Sequence, residues 1–494
     1  MQLSHEVAEN GVRRALAYAH AHRATFVEEL KEFVRFPSIS AQPEHAEDMR
    51  RCAAWLHNHL RRIGLASRVV PTAGHPLVYA EWRKVAEGGT VLLYGHYDVQ
   101  PPDPLAEWRS PPFEPTVRGE SLYGRGACDD KGQLWAHVKA LEAYLRTAGA
   151  LPVNVVCVFE GEEEIGSTHL IPIVQRHRRM LHADVAVISD MRMRAPERPA
   201  ITYALRGALS LELEVRGPEK DLHSGLFGGA VHNPLQALCE MLARLHDARG
   251  RVAIPGFYDA VRSWDASERA YLARTGPDDE EILRDAGAEQ PWGEEGYTLY
   301  ERTTLRPALT VNGIAGGYVG KGAKAVIPSR AVAKLGFRLV PDQDPAEVER
   351  LFRAQVARLT PPGVRSVVRS GFGALPALMD REHPAMRAAA SAFERGFGCT
   401  PVFLRSGGTI PVVNALQEIL QVPTLLMGLA LPDDGLHGPN EKFHLPNLYR
   451  GIDTFIWLLD GIRRIRTKSR ERPSLDGARR ASAWPTRVST GGTG

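Results

Sequence analysis

The sequence predicts an α/β fold in which a mostly parallel central sheet, flanked by helices, is interrupted by a smaller α+β insert. Three observations carry this. Short runs at 90–94, 153–159 and 184–189 are apolar at nearly every position, as strands buried on both faces must be. Between the first two lies a helical stripe of Leu134, Val138, Leu141 and Leu145, so strand and helix alternate. From about residue 207 the texture changes: Leu209, Leu211, Leu213 and Val215 alternate with Ser210, Glu212 and Glu214, the pattern of a sheet with one wet face.

Taken in order, the first helix carries Phe26, Val27, Leu30, Phe33 and Val34 at helical spacing and stops before Pro37. Inside the insert, Asn233-Pro234 reads as an N-cap followed by a first-turn proline. It opens a helix bearing Leu235, Leu238, Leu242 and Leu245. A second alternating strand near residue 331 sets Ala333, Leu335, Phe337 and Leu339 against Lys334 and Arg338, and Asp344-Pro345 caps a helix with Val348, Leu351, Phe352 and Val356. Buried-strand texture returns at 423–427, and a last helix is expected over about 448–459. The expected bounds are 1–206 for the first part of the main domain, 207–377 for the insert and 378–466 for the second part. Residues 467–494 form a basic Arg/Ser/Pro/Gly-rich tail, too poor in apolar side chains to fold.

With 494 residues the chain can bury a sizeable core without disulfides. Lys+Arg 61 against Asp+Glu 58 gives +3, which excludes the basic footprint of a nucleic-acid binder. Five scattered cysteines (Cys52, Cys128, Cys157, Cys239, Cys399), never in a Cys-x-x-Cys pair, argue against a disulfide framework or zinc finger and for a reducing compartment. Residues 1–6 lack a basic n-region and an apolar h-region, so no signal peptide is expected. No apolar run approaches the ~20 residues of a membrane span. The expectation is a cytoplasmic protein with no nucleic-acid or membrane partner.

The chemistry-bearing residues are positional. His96 and Asp98 follow the first buried run, Glu160, Glu162, Glu163 and Glu164 the second, and Asp190 the third. His437 sits in a Gly/Pro/Asp loop after 423–427, and Asp129-Asp130 lie at the mouth of the 134–145 helix, where a carboxylate is favoured. Ligands bind beyond the carboxyl ends of strands in open α/β sheets, so parallel neighbours would bring these groups to one rim. Singly, each has a bland reading: a structural histidine, a wet acidic loop, a turn aspartate. Their joint occurrence at four strand ends points to a cation, since crowded carboxylates repel and imidazole plus carboxylate is a zinc-type ligand set. A Gly-x-Ser-x-Gly elbow and a His-Glu-x-x-His helix are both missing, and Gly320-Lys321 lacks the rest of a phosphate loop.

Four segments carry a resemblance. They are Tyr94-Gly95-His96-Tyr97-Asp98-Val99-Gln100-Pro101, Tyr123-Gly124-Arg125-Gly126-Ala127-Cys128-Asp129-Asp130-Lys131-Gly132, Glu160-Gly161-Glu162-Glu163-Glu164-Ile165-Gly166-Ser167 and His437-Gly438-Pro439-Asn440-Glu441. In order, across roughly residues 20 to 465, the chain resembles the co-catalytic di-zinc metallopeptidases. These include carnosine-type dipeptidases, glutamate carboxypeptidases, aminoacylases and acetylornithine deacetylase. The likeness is greatest to the cytosolic non-specific, carnosine-type dipeptidases, through Lys220-Asp221-Leu222-His223-Ser224-Gly225 and Gly322-Ala323-Lys324-Ala325-Val326-Ile327-Pro328.

The resemblance implies roles. His96 and Asp190 hold one metal, Glu164 and His437 the other, and Asp129 bridges them. Asp98 orients His96 through its other ring nitrogen, and Asp130 helps present Asp129 through an unusual peptide geometry. Glu163 is the general base. The cofactor is two divalent ions, zinc first, with manganese or cobalt also compatible. The insert becomes a lid and dimerisation domain, implying a homodimer. From it a histidine matching His223 reaches the partner's site to stabilise the oxyanion, Arg338 clamps the substrate's C-terminal carboxylate, and Thr409 donates to substrate.

Three positions depart from the dipeptidase pattern. Ala325 stands in place of a substrate-contacting Thr, and Ser406 in place of an acidic residue; Thr409 replaces a Ser but keeps its hydroxyl. Carnosine-like specificity therefore does not follow. The expected function is a di-metal amide hydrolase, a dipeptidase releasing the C-terminal amino acid of short peptides. An N-acyl-amino-acid deacylase or specialised amidase would use the same metals and clamp, the discriminator being a free α-amine on the substrate. A non-catalytic scaffold would have lost Glu163 or a ligand, and every one is present.

Overall fold

The computed structural model describes residues 2–86 and 89–465; the tail expected at 467–494 lies outside the described residues. The chain divides into two compact units. The first takes the chain up to Thr202, Met379–Phe403 and the chain from Ala415; the second takes Tyr203–Leu378 and Leu404–Asn414.

The first unit is α/β. Its sheet runs Ala66–Val70, Leu77–Trp82, Asn154–Glu160, Thr90–His96, Val185–Ile188, Thr424–Met427, then Ala200–Leu205. The four strands from Asn154–Glu160 to Thr424–Met427 are mutually parallel, and antiparallel strands flank them on both sides. Every residue of Thr90–His96 and of Asn154–Glu160 is buried, which is why these stretches read as continuous apolar runs. The helix after Asp130, Lys131–Ala148, begins three residues earlier than its apolar stripe suggests, and is buried from Lys131 to Tyr144. It packs against Arg23–Val34 and Leu445–Arg463, with Trp135 Nε1 donating to Phe26 O at 3.0 Å and the Tyr144 hydroxyl to Ile456 O at 3.0 Å. Burial of the charged Lys139 is met locally: its ammonium lies 2.5 Å from Glu29, 2.7 Å from Glu142 and 3.0 Å from His59 Nε2.

The second unit holds a four-stranded antiparallel sheet in the order Ala308–Gly316, Arg330–Leu339, Gly207–Arg216, Arg365–Ala374. Leu209, Leu211, Leu213 and Val215 face Ala331, Ala333, Leu335 and Phe337 in its core, beneath Pro234–Ala243 and Pro345–Leu359. Asn233 and Asp344 cap these helices, accepting from Leu235 N and Ala346 N. Glu214, on the polar face, is nevertheless buried, because Arg216 and Arg369 cover it. Leu404–Asn414 is tied to this unit by the Tyr300 hydroxyl, which pairs with both Arg405 N and O at 2.9 Å, and by the Arg405–Glu268 ion pair at 2.7 Å. Among the described residues, no helix is long and apolar enough to cross a membrane.

Candidate metal centre

Parallel register decides where the functional residues emerge. His96, the last residue of its strand, lies beside Glu160, the last of the neighbouring strand, while Val185–Ile188 runs parallel on the other side. Asp98, Glu163, Glu164 and Asp190 therefore leave the sheet at one edge. Thr424–Met427, parallel to Val185–Ile188, sends the loop bearing His437 to the same edge. Asp129 and Asp130 precede the Lys131–Ala148 helix, whose N-terminal dipole favours negative charge.

Two donor groups result, and they share Asp129. His96, Asp129 and Asp190 each offer one ligand atom within 4.8 Å of the others, and so do Asp129, Glu164 and His437. Oδ1 of Asp129 is 3.2 Å from His96 Nε2, and its Oδ2 is 3.0 Å from His437 Nε2. Asp190 Oδ2 lies 3.9 Å from His96 Nε2, and Glu164 Oε2 lies 3.4 Å from His437 Nε2. His96 Nε2 is fully buried and off hydrogen-bond geometry with its neighbours, leaving it without a hydrogen-bond partner. A third set of potential donors, Glu29, His59 and Glu142, is already filled by the Lys139 ammonium described above.

The surrounding shell orients these groups. His96 Nδ1 is 3.1 Å from the carbonyl of Asp98 and 3.3 Å from its Oδ1, so Nδ1 carries the proton and Nε2 is free to ligate. The Asp98 carboxylate also accepts the backbone N–H groups of Glu163 and Glu164, at 3.3 and 3.1 Å. Asp130 Oδ2 accepts the N–H of His96 at 3.2 Å, and the Asp129–Asp130 peptide is cis. Sequence reasoning assigned no role to several further partners. Gln100 Nε2 donates to Glu164 Oε2 at 2.8 Å. Buried Glu160 accepts from the Tyr94 hydroxyl and, at 2.8 Å, from Ser167 Oγ. Glu441 and Arg125 brace the Asp129 loop. The motifs containing these residues were visible; their contacts to backbone atoms distant in sequence were not.

The electrostatics match a cation-binding set. Burial pushes the Glu164 carboxyl up to about 8, with the Asp129 charge adding to it. Asp190 and Glu163 are raised by burial too, and by the carboxylates beside them. Burial also works against the charge on Asp129, but the His437 and His96 imidazoles outweigh it and hold this carboxyl well below its usual range. His437 is raised chiefly by Asp129. His96 is raised against its burial by Asp129 and Asp98. Asp129 apart, the carboxyls hold protons because burial and the crowding of neighbouring negative charges disfavour ionisation, and the same negative charges favour protonated imidazoles. Two divalent ions would relieve that crowding, and two imidazoles with three carboxylates, one of them facing both sides, fit such a pair.

The other residues expected from the sequence, Arg338, Thr409 and His223, fall in the second unit. Arg338 Nη1 donates to Thr409 Oγ1 at 3.0 Å, and that hydroxyl donates to Arg206 O at 2.6 Å. His223 is exposed on the short pairing of Leu222–His223 with Val326–Ile327, and its Nδ1 accepts from Gly225 N at 3.0 Å. No hydrogen bond among the described residues joins His223 to Arg338 or Thr409.

Three comparisons bear on this arrangement. A model of peptidase family M20/M25/M40 matches residues 92–460. A Cys-Gly metallodipeptidase of Schizosaccharomyces pombe is 32% identical over 87% of this chain and 94% of its own length. A human beta-Ala-His dipeptidase is 32% identical over 90% of this chain and 91% of its own. Among solved structures, an M20 family metallo-carboxypeptidase from Sulfolobus solfataricus superimposes with a TM-score of 0.79 at 32% identity, covering 89% of this chain and 99% of that one.

Proposed function

The chain belongs to peptidase family M20/M25/M40, and from that premise we propose that it is a dipeptidase, releasing the C-terminal amino acid of short peptides at a di-metal centre. The observation that carries this reading is Asp129, whose two carboxylate oxygens face the imidazoles of two different donor groups. His96 and Asp190 would hold one ion, Glu164 and His437 the other, with Asp129 available to both. Zinc is the proposed metal, with manganese and cobalt tolerated by the same donors. Bound divalent ions supply Lewis-acid polarisation of the scissile carbonyl and a nucleophile at neutral pH.

The chain's own groups do the rest. The Glu163 carboxylate takes a proton from the attacking water and delivers it to the leaving amine nitrogen. Burial, which raises its carboxyl, suits it to holding that proton between the two transfers. Glu164 cannot share this work, because ligation fixes its charge. Asp98 keeps the His96 ring in the tautomer that presents Nε2.

From the second unit, Arg338 recognises the free carboxylate of the substrate, Thr409 orients it, and His223 reaches the site of the partner subunit to donate to the developing oxyanion there. We further propose a cytoplasmic homodimer formed through this unit. Five free cysteines support the compartment, and the half-exposed Val311 and Ile314 on the edge strand Ala308–Gly316 support the interface. Side-chain preference differs from that of a beta-Ala-His dipeptidase, since Ala325 offers no hydroxyl and Ser406 Oγ is turned to its own loop, accepting from Gly408 N at 3.1 Å.

The test is release of free amino acid from dipeptides and from N-acetyl amino acids sharing the same C-terminal residue, with and without chelator. Chelator-sensitive cleavage of the dipeptides alone is the expected result. Cleavage of the acetylated set instead would make the protein a deacylase, and cleavage of neither with Zn²⁺ or Mn²⁺ supplied would overturn the peptidase reading.

A further inference from the structure

Beside the metal centre, Arg125 and Glu441 form a fully buried ion pair, with Nη1 2.8 Å from Oε2. Neither side chain belongs to a donor group. Each is instead committed to backbone. Glu441 Oε2 accepts the N–H of Gly126 at 2.8 Å, and its Oε1 accepts those of Cys128 at 2.9 Å and Asp129 at 3.0 Å. Arg125 Nη2 donates to the carbonyls of His437 and Gly438, both at 3.1 Å, and of Pro101 at 3.3 Å. One carboxylate thus gathers the loop that presents Asp129, and one guanidinium grips the turn that presents His437.

Both loops need holding. His437 sits at φ 63°, a left-handed conformation that costs a side chain with a Cβ. Gly126 sits at φ 81°, and a Cβ there would meet Val99 Cγ1 at 2.5 Å, so the turn into the Asp129 loop takes a backbone conformation that favours glycine. Burying two charges is costly unless every lone pair and proton is met. In Glu441 four donors meet two oxygens, whereas Arg125 Nε is buried without a hydrogen-bond partner, so the pair carries a desolvation cost that stability alone does not explain.

We propose that the Arg125–Glu441 pair is a positioning device that fixes Asp129 and His437 before any cation arrives, and so sets the affinity of the Asp129/Glu164/His437 site. The inference rests on the di-metal reading above and deepens it. It also predicts asymmetry. His96 ends a central strand and Asp190 follows another, so their site depends on the pair only through the shared Asp129.

The experiment titrates the full chain, stripped by chelator, with Co²⁺ and follows the visible absorption of the bound ion. Wild type should take two ions. Glu441→Gln is isosteric but offers one carbonyl oxygen to four donors. It should keep one site and weaken the other about 10–100-fold, the range for lost orienting partners, with near-UV circular dichroism of the stripped protein unchanged. Two sites of wild-type affinity in a folded Glu441→Gln protein would overturn the proposal. So would restoration of both affinities in the double variant Arg125→Met/Glu441→Leu, which would trace the single variant's defect to an unpaired charge.

Hydrogen exchange on stripped wild type decides the matter even if the variants fail to fold. Protection of the Gly126, Cys128 and Asp129 amides without metal is expected. Free exchange that becomes protected only on adding Co²⁺ would mean the loop is ordered by the ion and not by the pair. If wild type took up no Co²⁺ at all, the di-metal reading itself would fail, while the exchange data would still report on the pair.

Discussion

Oδ2 of Asp98 accepts the backbone N–H of Glu164 at 3.1 Å, while Oδ1 of the same carboxylate lies 3.3 Å from Nδ1 of His96. One buried side chain therefore orients a donor of each group, the first through its ring and the second through its amide. Oδ1 also accepts from Glu163 N at 3.3 Å, so the proposed base is registered by the same carboxylate. Asp98→Asn is expected to weaken both cation sites, by about 10–100-fold, because the amide NH₂ must confront either the imidazole N–H or a backbone N–H. Calorimetric titration of the stripped variant with Zn²⁺ checks this; wild-type affinity at both sites would remove Asp98 from that role.

Glu163 and Glu164 are adjacent in sequence yet should separate cleanly in experiment. Loss of a positioned general base typically costs about 10²–10⁴-fold. Glu163→Gln should therefore lower kcat by that order while leaving two bound ions per chain. Glu164→Gln should instead lose an ion, since Glu164 Oε2 is among the donors around His437. Near-normal turnover in Glu163→Gln with full metal content would show that another group moves the proton.

Metal removal should expose an unusual pH dependence of stability. Glu164 and Glu160, raised chiefly by burial, each reach about 8 in the folded chain, against 4.5 for an ordinary glutamate. Between those values the folded state binds more protons than the unfolded one, so stability falls as pH rises. Their contribution is complete below about 4.5 and gone once pH passes about 8. Each raised group can contribute a slope of about 1.4 kcal/mol per pH unit at most. His96 and His437 are raised as well and add the same sign. Buried His137, pushed down to about 3, acts oppositely but only below about pH 6.5. The melting temperature of the stripped protein should thus decline from pH 6.5 to 8, and saturating Zn²⁺ should flatten the decline by engaging Glu164. A stripped protein whose melting point is level or rising over that window would contradict the electrostatics.

Much of this was legible in the sequence because the sheet centre leaves a strong trace. The runs ending at His96 and Glu160 are buried on both faces, so composition alone marked them as strands and put their terminal residues at one edge. Alternation likewise marked Gly207–Arg216 and Arg330–Leu339. The edge strands Ala308–Gly316 and Arg365–Ala374 left no such mark, since most of their side chains are exposed and carry no period. The bracing of the site was the least legible part. Glu441 acts on amides 312 to 315 residues away, and Gln100 acts on a carboxylate 64 residues on. A motif can advertise such residues, but only the folded backbone says what they hold. Ser406 shows the same limit from the other side, since the bond of its hydroxyl to Gly408 N is a local turn contact that residue type alone would not reveal.

In the proposed function Arg338 recognises the substrate carboxylate, and its surroundings set the size of the expected effect. Thr409 donates its proton to Arg206 O and accepts from Arg338 Nη1, so the hydroxyl pins the guanidinium in one orientation. A hydrogen bond to a charged group is worth about 1.5–3 kcal/mol, or roughly 10–100-fold in a rate constant. Arg338→Ala should lower kcat/KM for dipeptides by that factor, mostly through KM, with cation binding unchanged. Arg338→Lys should recover only part, because an ammonium retains the charge and loses the planar fork. The decisive comparison uses dipeptides whose C-terminal carboxylate is converted to an amide. Wild type should discriminate against the amides and Arg338→Ala should not, while Thr409→Val, which frees the guanidinium without removing it, should fall between. If Arg338→Ala kept the wild-type preference for the free acid, carboxylate recognition would belong to another residue, and the arginine would be left as a strand-surface charge that packs against Thr409.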